Sequence, residues 1–447
     1  MRDDQMSRDT LFYDVHTING THLDVLIREG VIAELRPHQP SETLPLHIRE
    51  QVQEGRLDLI NGEGDLLAPS FVDSHFHLDS TLSLGLPRLN VSGTLFEGIQ
   101  IWAEQKPQLT EETVYQRASE LIQWAIARGT LAMRSHVDIG DEELRATRAL
   151  IQLRDEVAPY FDLQLVAFPQ DGYLRNPRAE ALLVQALDLG VDLIGGIPHF
   201  ERSNAAGRES IERLCRLAAD RGLRVDMHCD ETDDPQSRHI ETLAEQCIRF
   251  GLQGRVTASH VTSLASAPND FAAKLVPLLS EANVHVVANP LINITLQGRR
   301  DGYPRRRGMT RVDELAAGGV NISFGHDCVM DPWYALGSAD MLEVAQMGLH
   351  VGQMTSLEGM RTCFNAVTQN PALALGLRDE FTPDGFKVGD RADLVLLEAG
   401  DPIEAIRLRA TRKLVMSRGQ IVARSPSSAT KLTLPGKDAH SVYFRVK

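Results

Sequence analysis

Two kinds of hydrophobic pattern divide the chain. Near both ends, short apolar runs are separated by turns: residues 11–15, 23–28 and 30–35 at the start, 392–397 and 412–423 at the finish. Such runs read as strands, and the Glu29-Gly30 link between the second and third is a hairpin signal. Arg418-Gly419 breaks the last run in a similar way. Between these ends the pattern becomes an alternation. Apolar stretches of strand length occur at 68–77, 131–137, 163–168, 191–197, 223–227, 255–259, 284–288 and 320–324. Helix-period stretches lie between most of them, at 111–128, 141–157, 180–189 and 210–221. Eight strand–helix units predict an α/β fold, a (β/α)8 TIM barrel, whose chemistry lies at the carboxyl ends of the strands. The expected organisation is a barrel over residues 66–378 and a small β domain built jointly from 1–65 and 379–447. Termini of compact folds usually lie close together. The Ser-rich stretch 425–430 reads as loop.

Composition narrows the class. Among 447 residues, 43% are hydrophobic and 24% charged, which excludes wholesale disorder. With Lys+Arg 46 and Asp+Glu 61, the net charge of −15 argues against a nucleic-acid binder, which needs a basic footprint. Five scattered cysteines do not form a secreted disulfide framework, so a reducing cytosol is expected. No run approaches the ~18 apolar residues of a membrane span. The opening Met1-Arg2-Asp3-Asp4-Gln5 has no apolar segment of a signal peptide. The expectation is a soluble cytoplasmic protein.

Histidines and carboxylates collect where the barrel would have its mouth. His75 and His77 are two apart at the end of the first strand, so period-2 geometry puts both imidazoles on one face. Two neutral imidazoles so placed suit a transition metal. Strand five runs into His228-Cys229-Asp230-Glu231, strand six ends in His260, and strand eight runs into His326-Asp327-Cys328. Four strand ends carrying such groups on one mouth point to a metal site. His136 and His199 face the same way and read as supporting groups. The basic run 299–307 reads as a lid or subunit contact, because long loops in compact domains are usually functional.

Longer stretches carry a specific likeness. Ser92-Gly93-Thr94-Leu95-Phe96-Glu97-Gly98, Val166-Ala167-Phe168-Pro169-Gln170 and Ile197-Pro198-His199-Phe200-Glu201 resemble the bacterial cytosine deaminases of the amidohydrolase superfamily. So do Val256-Thr257-Ala258-Ser259-His260, Ala288-Asn289-Pro290-Leu291 and Asp331-Pro332-Trp333-Tyr334. The resemblance runs over most of the chain. It implies metal ligands at His75, His77, His228 and Asp327. It further implies Glu231 as proton shuttle, His260 beside the attacking water and Gln170 on the pyrimidine amide edge. The Leu95 carbonyl would meet the ring, and Phe168 and Trp333 would wall the pocket. A homo-oligomer and a small nucleobase substrate are implied too, with no nucleic-acid or membrane partner. The chemistry agrees, since hydrolysis of an aromatic amidine needs hydroxide at neutral pH, and a divalent metal supplies it by acidifying bound water. Superfamily members with two metals usually bridge them through a lysine at the end of strand three or four, and none stands there, so the resemblance implies one ion; zinc and iron(II) both suit the donors.

One position departs from the family. Where these deaminases usually carry two adjacent aspartates after strand eight, the second is here Cys328. A thiol leaves room and apolar contact at the pyrimidine C5 edge, which favours 5-methylcytosine, giving thymine, with cytosine and 5-fluorocytosine also accepted. Other readings are a plain cytosine or isoguanine deaminase with Cys328 as drift, or an enzyme for isocytosine, creatinine or a pterin. A non-catalytic scaffold would be expected to have lost ligands, whereas all are present.

Overall fold

A computed structural model describes residues 8–39 and 46–445, so Met1–Gln5 lie outside the described residues. The chain forms two compact units. One comprises Val72–Ala125 and Ala132–Asp379; the other comprises Met1–Phe71, Ile126–Leu131 and Glu380–Lys447.

The eight central strands appear as one parallel sheet in chain order, from Phe71–Phe76 and Thr130–Asp138 to His285–Ala288 and Ile322–Phe324. Between them lie Asp162–Phe168, Leu193–Gly196, Arg224–Cys229 and Val256–His260. The sheet closes between its first and last members. Phe76 bridges Asp327, the His77 amide donates to the Asp327 carbonyl at 3.0 Å, and the Asp327 amide to the His75 carbonyl at 2.8 Å. Every residue of the first, second and sixth of these strands is buried, as expected for strands enclosed on both faces. This is the (β/α)8 barrel that the alternation predicts.

The helices sit close to their sequence positions, and their starts show why edges shift. Residues 141–157 contain a helix that begins only at Arg145, because Asp141 turns back to accept from the Arg145 amide (3.0 Å). The helix expected from residue 210 starts at Asn204, where the Ser203 hydroxyl accepts from the Ala206 amide (3.2 Å). Capping side chains set these ends more than the apolar period does.

The second unit holds a seven-stranded sheet drawn from both ends of the chain. Its order is Gln420–Arg424, Arg412–Ser417, Leu394–Leu397, Leu57–Pro69, Asp9–His16, His22–Arg28, Val31–Pro37. Phe12, Val15, Val25, Leu67, Leu394 and Met416 form its core. Leu57–Pro69 pairs parallel with the first strand and antiparallel with Leu394–Leu397, and so joins the two termini.

That strand corrects the sequence reading in two ways. The run 68–77 is the end of Leu57–Pro69, a break at Ser70, and then Phe71–Phe76. The residues on either side of Ser70 are uniformly apolar, so hydrophobicity hides the boundary. The rest of Leu57–Pro69 was hidden by Asn61-Gly62-Glu63-Gly64, which looks like a turn. Gly62 is needed there: a Cβ would lie 2.4 Å from the Asp14 carbonyl oxygen on the neighbouring strand. Thr430, expected in a loop, opens a short strand, Thr430–Leu432, paired with His440–Val442.

Candidate active site

The barrel strands deliver their ends to one cluster. His77 Nε2 and His228 Nε2 lie 3.0 Å apart, and Asp327 Oδ1 is 3.4 Å from His77 Nε2 and 3.6 Å from His75 Nε2. His75 is fully buried, and His228 and Asp327 nearly so. Burial, and then mutual repulsion, pushes the imidazoles of His75, His228 and His260 well below their ordinary range; burial and His136 do the same to His77. Neutral rings keep a lone pair for a cation.

A proton count fixes how His75 presents that lone pair. The Ser259 hydroxyl has one proton and donates it to Asp226 Oδ1 (2.7 Å). It must therefore accept from His75 Nδ1 (2.9 Å), leaving Nε2 unprotonated, aimed towards Asp327 and without a hydrogen-bond partner among the described residues. Asp226 is wholly buried, yet His136 and then the Arg134 guanidinium (2.9 Å) hold its carboxyl below the usual range against the effect of burial. Such outer partners orient metal-binding histidines. Sequence reading assigned no role to Asp226, Ser259 or Arg134. Their signal was present: polar residues inside otherwise apolar strands, with Asp226 and Arg134 spaced by two from His228 and His136 and Ser259 directly before His260.

The donor set fits one divalent transition metal: three imidazoles kept neutral, one carboxylate and an unpartnered ring nitrogen. His136 packs into the same cluster, its ring 4.3 Å from His75 and 4.6 Å from His228, with neither nitrogen hydrogen-bonded among the described residues. With His75 and His228 it forms a second candidate set of metal donors.

Glu231 stands three residues beyond His228, 5% exposed, with Oε1 3.6 Å from His260 Nδ1. Burial raises its carboxyl to about 8. Asn293 Nδ2 donates to His260 Nδ1 (3.0 Å), so a neutral His260 carries its proton on Nε2, 3.7 Å from Asp327 Oδ2. The backbone is strained where these strands end. Asp230, His260, Val261 and Asp327 have φ of 55°, 72°, 51° and 71°, a region L-residues rarely enter and one that recurs at functional sites.

A cavity of about 410 Å³ opens onto this cluster. Leu95, Gln170, Cys328 and Trp333 line it, as do His77, His228, Glu231, His260 and Asp327. Leu95 opens a helix that Thr94 caps by accepting from the Glu97 amide (3.3 Å). Gly98 of that helix lies against Trp333, where a Cβ would come within 2.4 Å of the indole. Phe168 stacks on His228 (4.1 Å, 17°). Cys328 is 3% exposed, its thiol pushed well up by burial and then by Asp331 and Asp327, so it is a neutral SH donating to Asp327 Oδ1 at 3.6 Å. From the basic run, Arg299 and Arg300 reach the cavity, while Arg306 is tied to Asp301 (2.6 Å).

A barrel whose strand ends gather buried histidines, an aspartate and a raised glutamic acid has the groups of a hydrolase and a cluster that could hold a metal. Comparison gives the family: the model for the amidohydrolase family matches residues 58–423, and the chain belongs to it. The chain is similar to 5-methylcytosine deaminase from Klebsiella pneumoniae, solved with 5-fluorocytosine. Identity is 35%, the TM-score 0.88, and the match covers 96% of this chain and all of the other. A pterin deaminase of Rhizobium rhizogenes is 29% identical over 90% of this chain and 88% of its own. The N-isopropylammelide isopropyl amidohydrolase of a Pseudomonas species is 26% identical over 85% and 91%. The chain is thus a hydrolytic deaminase of the amidohydrolase type, acting on a ring C–N bond. Among the described residues no helix is long and apolar enough to cross a membrane.

Proposed function

We propose that the enzyme deaminates cytosine-type bases and prefers 5-methylcytosine, giving thymine and ammonia, with cytosine and 5-fluorocytosine as further substrates. The observation that carries this reading is Cys328, a buried neutral thiol on the cavity wall directly after Asp327. A carboxylate at that place would crowd a C5 methyl and lose its own hydration against it. The similarity to 5-methylcytosine deaminase supports the same choice.

His75, His77, His228 and Asp327 would hold one divalent ion, zinc or iron(II). That ion supplies hydroxide near neutral pH by acidifying a water bound to it. The residues do the rest. Water adds at C4 while ring N3 gains a proton; the C4–N bond then breaks as the amine gains another and leaves as ammonia. Glu231, whose carboxyl titrates near the working pH, takes one proton from the water and gives it to N3, then carries the proton of the new C4 hydroxyl to the leaving amine. His260 presents its Nε2 proton beside Asp327 and holds the water in line. Gln170 pairs with the amide edge of the base, the Leu95 carbonyl meets the ring, and Phe168 and Trp333 wall the pocket.

The test is a comparison of kcat/KM for 5-methylcytosine and cytosine in wild type and in Cys328→Asp. The variant should lower the ratio by more than ~10-fold, because apolar discrimination of ~1–3 kcal/mol is joined by the carboxylate's desolvation. An unchanged ratio, or a wild type that ignores 5-methylcytosine, removes the proposal. A bicyclic substrate is the second reading. The cavity volume falls in the range of roughly 300–1,000 Å³ that suits larger ligands, and a pterin deaminase is among the relatives. An ammonia-release screen including a pterin decides between them. A homo-oligomer belongs to the same proposal, supported by the exposed Leu86, Leu89, Val91 and Phe96 along one stretch before and into the Leu95–Gln105 helix.

A further inference from the structure

The seven-stranded sheet carries a second group of metal-capable side chains. His22 and Asp24 are two apart on one strand and share a face. His38 follows the end of the next strand, held by its amide donating to the His22 carbonyl (3.0 Å). Asp14 would alternate away from this face, but the first strand bulges between Phe12 and Val15, and Asp14 takes φ 59°. A bulge re-aims a side chain. The absence of a side chain at Gly62 gives the Asp14 backbone its room.

The outcome is a convergence of donors. Asp14 Oδ1 is 2.7 Å from His22 Nε2 and 3.9 Å from His38 Nε2. On the other side of its ring, His38 Nδ1 donates to Asp24 Oδ1 at 2.7 Å. That bond fixes the tautomer, so Nε2 carries the lone pair towards Asp14. A carboxylate behind a histidine in this way is the usual outer support of a metal ligand. His16 stacks on His22 (4.4 Å, 14°), which holds that ring in place. Tetrahedral zinc with bonds near 2.05 Å separates its ligands by about 3.3 Å, between the two spacings seen. Side-chain exposure of 32% for His22 and Asp14 and 14% for His38 leaves a side open to water as a further ligand.

We propose that Asp14, His22 and His38, supported by Asp24, form a second binding site for a zinc-like divalent metal, separate from the barrel cluster. On binding, the His22 proton moves from Nε2 to Nδ1, and Nε2 joins Asp14 Oδ1 and His38 Nε2 on the ion.

The experiment uses the full chain, stripped by a chelator, equilibrated with buffered zinc, desalted and measured for zinc per chain. Wild type should hold two equivalents. His22→Ala and His38→Ala should each hold one and keep full deaminase turnover. A wild type with one equivalent, or variants that keep two, overturns the proposal. In a His228→Ala background the same His22→Ala change should still remove one equivalent, so failure of the barrel assignment is told apart from failure of this one. Asp24→Asn keeps all three donors and loses only the support, so zinc should bind there about 10–100-fold more weakly. Undiminished affinity in that variant would rule out binding through His38 Nε2.

Discussion

Two groups of histidine and aspartate occur in this chain, and they are stabilised in opposite ways. In the barrel, four imidazoles are driven neutral by burial, and Asp327, the carboxylate among them, is itself pushed well up by burial and then by Glu231 and Asp331. In the sheet, each of His22 and His38 rests directly against a carboxylate, and water reaches the group. Buried polar groups without partners are costly, so the barrel group depends on a cation to complete it. The sheet group is already satisfied by its own hydrogen bonds. The same residue types thus give one group left with unpartnered buried nitrogens and another satisfied by its own hydrogen bonds.

The comparison breaks first at His228. His228→Ala should abolish both metal retention in the barrel and turnover, whereas His22→Ala should leave turnover intact; metal content with an ammonia assay reads both. Next comes Glu231→Gln, which keeps the shape and a donor but cannot accept the water proton. It should retain barrel metal and lose at least ~10²-fold in kcat; near-normal turnover would remove the shuttle role.

The smallest effect concerns pH. Burial raises the Glu231 carboxyl from 4.5 to about 8, so the folded state binds the proton more tightly than the unfolded one. Its contribution is full below about 4.5 and is lost as pH rises through about 8. Metal-free protein should therefore lose stability across that window, at most about 1.4 kcal/mol per pH unit from this group. Denaturant titrations should show a shallower loss in Glu231→Gln, and none of this slope should change in His22→Ala.

Much of this was legible in the sequence, for identifiable reasons. All eight barrel strands lie within the predicted runs or a residue or two of them, because enclosed strands need uninterrupted apolar sequence. His75 and His77 could be paired from period-2 geometry alone. Leu57–Pro69 escaped because its bulge at Glu63 and Gly64 imitates a turn, and its last residues merge with the first barrel strand. Asp226 and Ser259 escaped for another reason: their roles exist only across adjacent strands, whose register no local pattern states.

The seam that closes the barrel has a temporal consequence. His75 and His77 come from its first strand and Asp327 from just beyond its last, so their meeting joins distant parts of the chain, a kind of contact that is slow to form. An ion bridging them can act only once that closure is complete. It would contribute nothing to the approach and would hold the finished ring shut. A metal held there would therefore be a latch on the folded lifetime, slowing opening and leaving the rate of folding unchanged.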